Sequence, residues 1–174
     1  MKGTVTAAGL KYHIMPSPIG DLLLAGDDDA LRVVHFQGGV RPTQPKPEWE
    51  PDAKPFREAM RQLNAYFAGK LKRFELPLAP EGTEFQLKVW KTLLTIPYGE
   101  TWSYGDIARR IRRPAAFRAV GAANGQNPIP VIIPCHRVVG SDGSLTGFGG
   151  GLPIKQQLLA LEGALPASAQ ADLF

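Results

Sequence analysis

The apolar residues of this 174-residue chain change their spacing once, near position 80, and that change limits the fold more than any other feature. Before it, "KYHIM" (11–15), "DLLLAG" (21–26) and "LRVVHF" (31–36) are short apolar, partly β-branched runs, split by the turn-forming "PSPIG" and "GDDDA". They predict a small antiparallel meander. After it, apolar residues recur at helical spacing behind capping residues. Thr83 and Gln86 make a capping-box pattern for a helix carrying Phe85, Val89, Trp90, Leu93 and Leu94, which Pro97 stops. Ser103 can cap "YGDIARRI", and Pro114 opens "PAAFRAVGAAN", which Gly125 closes. Pro153 begins a last helix through Leu161, with Gly163 as its C-terminal cap. Strands gathered before helices make an α+β chain. The expected architecture is a small N-terminal antiparallel-sheet domain with a helix, at 1–78, followed by a mostly helical C-terminal domain with a helix–turn–helix, at 83–174.

Between these parts lie less regular stretches. Residues 37–54 are proline-rich and read as an exposed loop in which Trp49 plugs a gap. Pro55 suits the first turn of a helix with Phe56, Met60, Leu63 and Phe67 on one stripe and Gly69 at its end, and one more short strand is expected in 71–82. "NPIPVIIP" (127–134) is apolar but too proline-rich for a central strand, "SDGSLTGFGGG" (141–151) is a glycine-rich loop, and the tail 164–174 reads as loose. Hydrophobic residues at 44% and charged residues at 21% suit an ordinary globular chain with a core. No apolar run approaches the roughly 18 residues of a membrane span, and the N-terminus lacks a signal core. A single cysteine makes no internal disulfide, which fits a reducing, cytoplasmic setting.

The net charge of +4 is uneven: residues 1–82 carry 11 basic and 10 acidic groups, residues 83–174 carry 9 and 6. The basic residues gather where two short helices, 103–111 and 114–124, meet at "RRP", a spacing that suits a helix–turn–helix. Arg109, Arg110, Arg112, Arg113 and Arg118 can reach phosphates there. The second helix is slim, with Ala115, Ala116, Ala119, Gly121, Ala122 and Ala123, so it can lie close to a nucleic-acid groove or to another helix. For reading base edges it offers chiefly Arg118 and Asn124. That suits sequence-tolerant binding, with Arg118 as a wedge in the minor groove, and equally a solvated basic face beside tight helix packing.

Cys135 stands in "PCHRVVG" (134–140). Free cysteine is often a plain core residue. Zinc finds little support, since the other soft ligands are His13, His35 and His136 and no second cysteine exists; the same lack argues against a redox switch. A nucleophile would need its sulfur ionised at neutral pH, by His136, by Arg137 or by a helix N-terminus. In a regular strand Cys135 and His136 would face opposite ways, so contact requires a turn or a bridging water, and Pro134 makes a turn plausible. A basic histidine wants an orienting carboxylate. Glu162 is a candidate: it ends the last helix, where negative charge opposes the helix dipole.

"NPIPVIIPCHRVVG" (127–140), "IPYGETWSYGDIA" (96–108), "RAVGAANGQNP" (118–128) and "LLALEG" (158–163) together resemble the methylated-DNA–protein-cysteine methyltransferases, the O6-alkylguanine-DNA alkyltransferases. "SPIGDLLLAG" and "LNAYFAGK" extend a weaker likeness into residues 11–82. The resemblance implies a single-turnover repair protein, without cofactor or metal, acting on double-stranded DNA that contains O6-alkylguanine, and on O4-alkylthymine, as a monomer in solution that can cluster on DNA. It implies that the damaged nucleotide is flipped into a pocket and its alkyl group passed to Cys135. His136 would act as base through a water, oriented by Glu162. Tyr104 would donate to the purine, and Asn127 would brace the backbone before the "PCHR" segment. Arg118 would fill the space of the flipped nucleotide, with Ser103, Arg109, Arg110, Arg112, Arg113, Ala119, Gly121, Ala122 and Asn124 along the DNA. Val138, Phe148, Gly149 and Gly150 would line the pocket, under a loop at 147–151. Some members have tyrosine and serine where this chain has Phe148 and Gly149, so backbone amides would have to serve the guanine oxygen. The glycine-rich loop would then leave room for alkyl groups larger than methyl, which failure on benzylguanine DNA beside success on methylguanine DNA would refute.

Overall fold

A computed structural model describes residues 9–38 and 44–165. The chain forms two compact units, 1–80 and 81–174. The first holds a four-stranded sheet in the order β3-β2-β1-β4, with β1 at Lys11–Met15, β2 at Leu22–Gly26, β3 at Leu31–Phe36 and β4 at Glu50–Pro51. The three expected strands form the antiparallel meander. β2 is buried along its whole length. Leu23 and Ala25 pack with Leu10 and Trp49 on one face, and alternation sends Leu22 and Leu24 to the other, which explains an unbroken apolar run in a central strand. Trp49 thus fills the core of this unit.

The fourth strand lies where a loop was expected, and no strand forms in 71–82. β4 runs parallel to β1, through Glu50 N–H to Leu10 C=O and Asp52 N–H to Tyr12 C=O. Pro51 lacks an N–H but sits at the sheet edge, where none is needed. Downstream, Leu78 makes only an isolated bridge to Leu31, because Pro77 and Pro80 flank it and cannot extend a ladder. The helix begins with a 3-10 turn at Lys54–Phe56 and continues as α1, Arg57–Phe67. The tighter turn shifts the phase of the buried stripe to Phe56, Ala59, Leu63 and Tyr66, leaving Met60 and Phe67 half-buried. Gln62 joins the buried face because its amide exchanges two hydrogen bonds with the backbone of Glu75.

The second unit is helical around a two-stranded parallel pair, β5 at Trp102–Ser103 and β6 at Val138–Val139. α2 spans Glu84–Leu93, with the Thr83–Gln86 capping box formed on both sides. Val89, Trp90 and Leu93 face inward, while Leu94 is exposed. Trp90 Nε1–H donates to Ala123 C=O at 2.8 Å and ties α2 to the helix–turn–helix. The latter consists of α3, Tyr104–Arg110, a turn, and α4, Phe117–Gly125. Pro114 opens a 3-10 turn, Pro114–Ala116, rather than the α-helix itself. α5 spans Leu152–Leu161 and ends on Gly163 at φ +69°. Of the expected loose tail, Leu165 is buried against Leu159; residues 166–174 and loop residues 39–43 lie outside the described residues. Among the described residues no helix is long and apolar enough to cross a membrane.

Candidate active site

The segment before Cys135 is held by an asparagine rather than by a sheet. Residues 129–139 are all buried, and Val131 has φ +74°, a strained conformation for a β-branched residue. The Asn127 amide spans that strain: its Oδ1 accepts from Ile129 N–H at 3.0 Å and its Nδ2 donates to Ile133 C=O at 2.8 Å. Asn124, expected to face DNA, instead points inward; it is 3% exposed, and its Nδ2 reaches Cys135 C=O at 3.4 Å. Two asparagines therefore link the end of α4 to the cysteine.

Cys135, His136 and Arg137 form a 3-10 turn. The turn gathers amides at the sulfur: the Asn127 side chain and the backbone N–H groups of Cys135 and His136 all favour the thiolate, as does the nearby Lys155 ammonium. Burial outweighs them. Cys135 is 4% exposed, and burial pushes its thiol up to about 11. This corrects the expectation of a sulfur ionised at neutral pH: the resting protein holds a thiol.

The histidine is paired behind it. His136 Nε2 lies 2.7 Å from Glu162 Oε2, and both side chains are fully buried. A carboxylate only accepts, so the hydrogen-bond network assigns the ring proton to Nε2 and leaves a lone pair on Nδ1, which is buried without a protein partner. Burial holds the His136 pKa below its ordinary value, despite Glu162. The ring is thus neutral, with its basic nitrogen available.

Arg137, offered by the sequence as a group that could ionise the cysteine, instead pairs with Glu162 and explains how that carboxylate survives at a helix C-terminus. Its guanidinium grips both carboxylate oxygens, Nε to Oε1 at 2.7 Å and Nη2 to Oε2 at 3.1 Å, while Nη1 donates to Ile96 C=O at 2.7 Å. The bidentate pair neutralises the buried charge. Lys155 was missed. It is fully buried, and its Nζ donates to Val138 C=O at 2.6 Å and to Thr146 C=O at 3.2 Å. Burial lowers its pKa to about 8. The available signal was register: Lys155, Leu158, Leu159 and Glu162 share the buried stripe of α5.

The remaining expected residues divide. Tyr104 stands half-buried at the start of α3, its hydroxyl 2.5 Å from Thr146 Oγ1. Gly121, expected along DNA, faces the Tyr104 ring, where an added Cβ would lie 3.7 Å from two ring carbons. Ser103 is a capping residue: its Oγ accepts from Asp106 N–H, and its own N–H donates to Asp106 Oδ2. Arg109 is exposed but ion-paired to Asp106. Arg110 stacks over Trp102 at 3.6 Å, and Arg113 lies over Phe85 at 5.9 Å. Arg112 is exposed at φ +61°, in the turn between α3 and α4. Arg118, Ala119 and Ala122 are exposed on α4, with Arg118 over Phe117 at 5.8 Å. Val138 lies wholly in the interior, because β6 pairs it with Trp102, so its side chain is not on an open pocket wall. Gly150 is also buried, Phe148 is half-buried and Gly149 is exposed.

Against known families, residues 84–164 match the DNA-binding domain of 6-O-methylguanine DNA methyltransferase, and residues 10–80 match the ribonuclease-like domain of the same proteins. The chain belongs to the 6-O-methylguanine DNA methyltransferase family. It is 56% identical over 153 residues to a methylated-DNA–protein-cysteine methyltransferase of Methanosarcina acetivorans, covering 88% of this chain and 98% of that one. To the Mycobacterium tuberculosis methylated-DNA–protein-cysteine methyltransferase it is 51% identical, covering 94% and 97%. The crystal structure of the M. tuberculosis O6-methylguanine methyltransferase is similar, with a TM-score of 0.83, 48% identity, and coverage of 95% of this chain and 99% of that chain. The M. tuberculosis protein in complex with DNA also matches, with a TM-score of 0.80, 51% identity, and coverage of 91% and 96%. The α+β fold, with its sheet-bearing first part and helical second part, is that of the M. tuberculosis members.

Proposed function

We infer that the protein repairs O6-alkylguanine in duplex DNA, and O4-alkylthymine, by moving the alkyl group irreversibly to Cys135. The observation that carries this reading is the buried thiol followed directly by a neutral histidine whose far nitrogen is fixed by Glu162. His136 Nδ1 takes the thiol proton through a water, so the thiolate exists only when the reaction needs it. The sulfur attacks the alkyl carbon; the S–C bond forms as the C–O6 bond breaks, and the electron pair returns to the purine. Tyr104 gives its phenolic proton to the purine, which leaves neutral, and the proton that His136 took from the thiol goes back to the phenol, so no net proton is gained or lost. A thioether has no route back to the thiol here, so each chain reacts once.

Reaching the oxygen requires extruding the nucleotide, and Arg118 on the exposed face of α4 is the side chain that takes its place. Arg112, exposed in the turn between α3 and α4, makes phosphate contacts; Arg109 and Arg110 reach phosphates by exchanging their present partners. Domain 83–174 is thus the repair domain and 1–78 its structural companion. One chain acts alone per lesion, and its lone thiol suits the reducing cytoplasm. The test is the yield from a duplex carrying a single O6-methylguanine. Repaired duplex should level off at the amount of protein added, and Cys135→Ser should give none; continued turnover would refute the reading.

A further inference from the structure

We propose that Thr146 is a positioning residue that sets the direction of the Tyr104 proton during alkyl transfer. The inference rests on the reading of Tyr104 given above and extends it to a residue with no assigned part. Two hydroxyls 2.5 Å apart share one hydrogen bond, and either can donate. If Tyr104 donates to Thr146, its only proton is spent inside the protein and the purine meets a lone pair. If Thr146 donates, the phenol proton is free for the purine, and the phenol becomes a stronger donor because it is also accepting.

Thr146 is built to hold this position. Its backbone carbonyl accepts from the Lys155 ammonium at 3.2 Å, and the same ammonium binds Val138 C=O at 2.6 Å. Lys155 is wholly buried in α5, so the contact fastens an otherwise irregular loop to a rigid helix. The Tyr104 ring is confined from the other side by Gly121 on α4. Ring and hydroxyl partner are thus each fixed by a separate element. The fit leaves rotation of two O–H bonds as the motion that turns a resting Tyr104 into a donor.

Single-turnover kinetics on an O6-methylguanine duplex, over a range of DNA concentrations, separate binding from the maximal transfer rate. Thr146→Val keeps the shape and removes the hydroxyl. It should lower the maximal rate about 3- to 10-fold, the range of one neutral hydrogen bond, with Kd for DNA unchanged. Thr146→Ser should restore the rate, and in a Tyr104→Phe background the valine should add no further loss. A wild-type rate for Thr146→Val, a serine variant as slow as the valine, or the same loss in the Tyr104→Phe background would overturn the inference. Should valine disturb the loop, seen as a lowered Tm, Thr146→Ala against Thr146→Ser makes the same comparison. A Tyr104→Phe protein with a wild-type rate would instead refute the reading of Tyr104 itself.

Discussion

Burial holds a proton on Cys135 through an alkaline range in which an exposed thiol would release it. The folded pKa, about 11, lies above the ordinary value of 9.0. Between those values the folded protein keeps a proton that the unfolded chain releases, so stability should fall as pH rises through this window. Thiolate absorbance, taken as the difference between wild type and Cys135→Ser, should therefore appear only at strongly alkaline pH; a titration near neutrality would contradict it. Arg137 carries the complementary prediction. Replacing it with alanine strands Glu162, a buried carboxylate, and should cost about 3–5 kcal/mol in urea unfolding. Arg137→Lys should not rescue it fully, since an ammonium cannot span both carboxylate oxygens. A loss under about 1 kcal/mol, the scale of an exposed pair, would show that the pair is not the support of the site.

On the scale of elements, α4 has two faces with different work. Val120, Ala123 and Asn124 are buried, while Arg118, Ala119 and Ala122 are exposed. Arg118→Ala should slow repair of duplex DNA at least several-fold while leaving reaction with free O6-benzylguanine unchanged; equal loss on both would remove the flipping role. Much of this level was legible beforehand. The capping boxes at Thr83 and Ser103 and the meander depend on residues within a few positions of one another. The 3-10 turns at 54–56 and 114–116 were not, because a proline fixes where a helical turn begins but not how tightly it winds. β4 was not either, because its pairing with β1 spans about forty residues of chain and its proline argues locally against a strand. In the site, Cys135, His136 and Glu162 stood out through motif and misplaced charge. Asn124 and Lys155 did not, since a polar residue on a short helix reads as surface until its partner carbonyl is known.

For the molecule as a whole, the two units match two different parts of the methyltransferase family, and every residue assigned to chemistry lies in the second. Residues 83–174, with 9 basic and 6 acidic groups, carry most of the net charge of +4. DNA affinity should accordingly fall as salt rises, through counterion release from phosphates. The account nevertheless turns on a covalent event that charge alone cannot produce. Intact-mass and peptide-mapping mass spectrometry after incubation with O6-methylguanine duplex measures it directly. One added methyl group per chain, on Cys135 and lost in Cys135→Ser, is the result expected; an unmodified cysteine beside repaired DNA, or a methyl group on any other residue, would contradict the account.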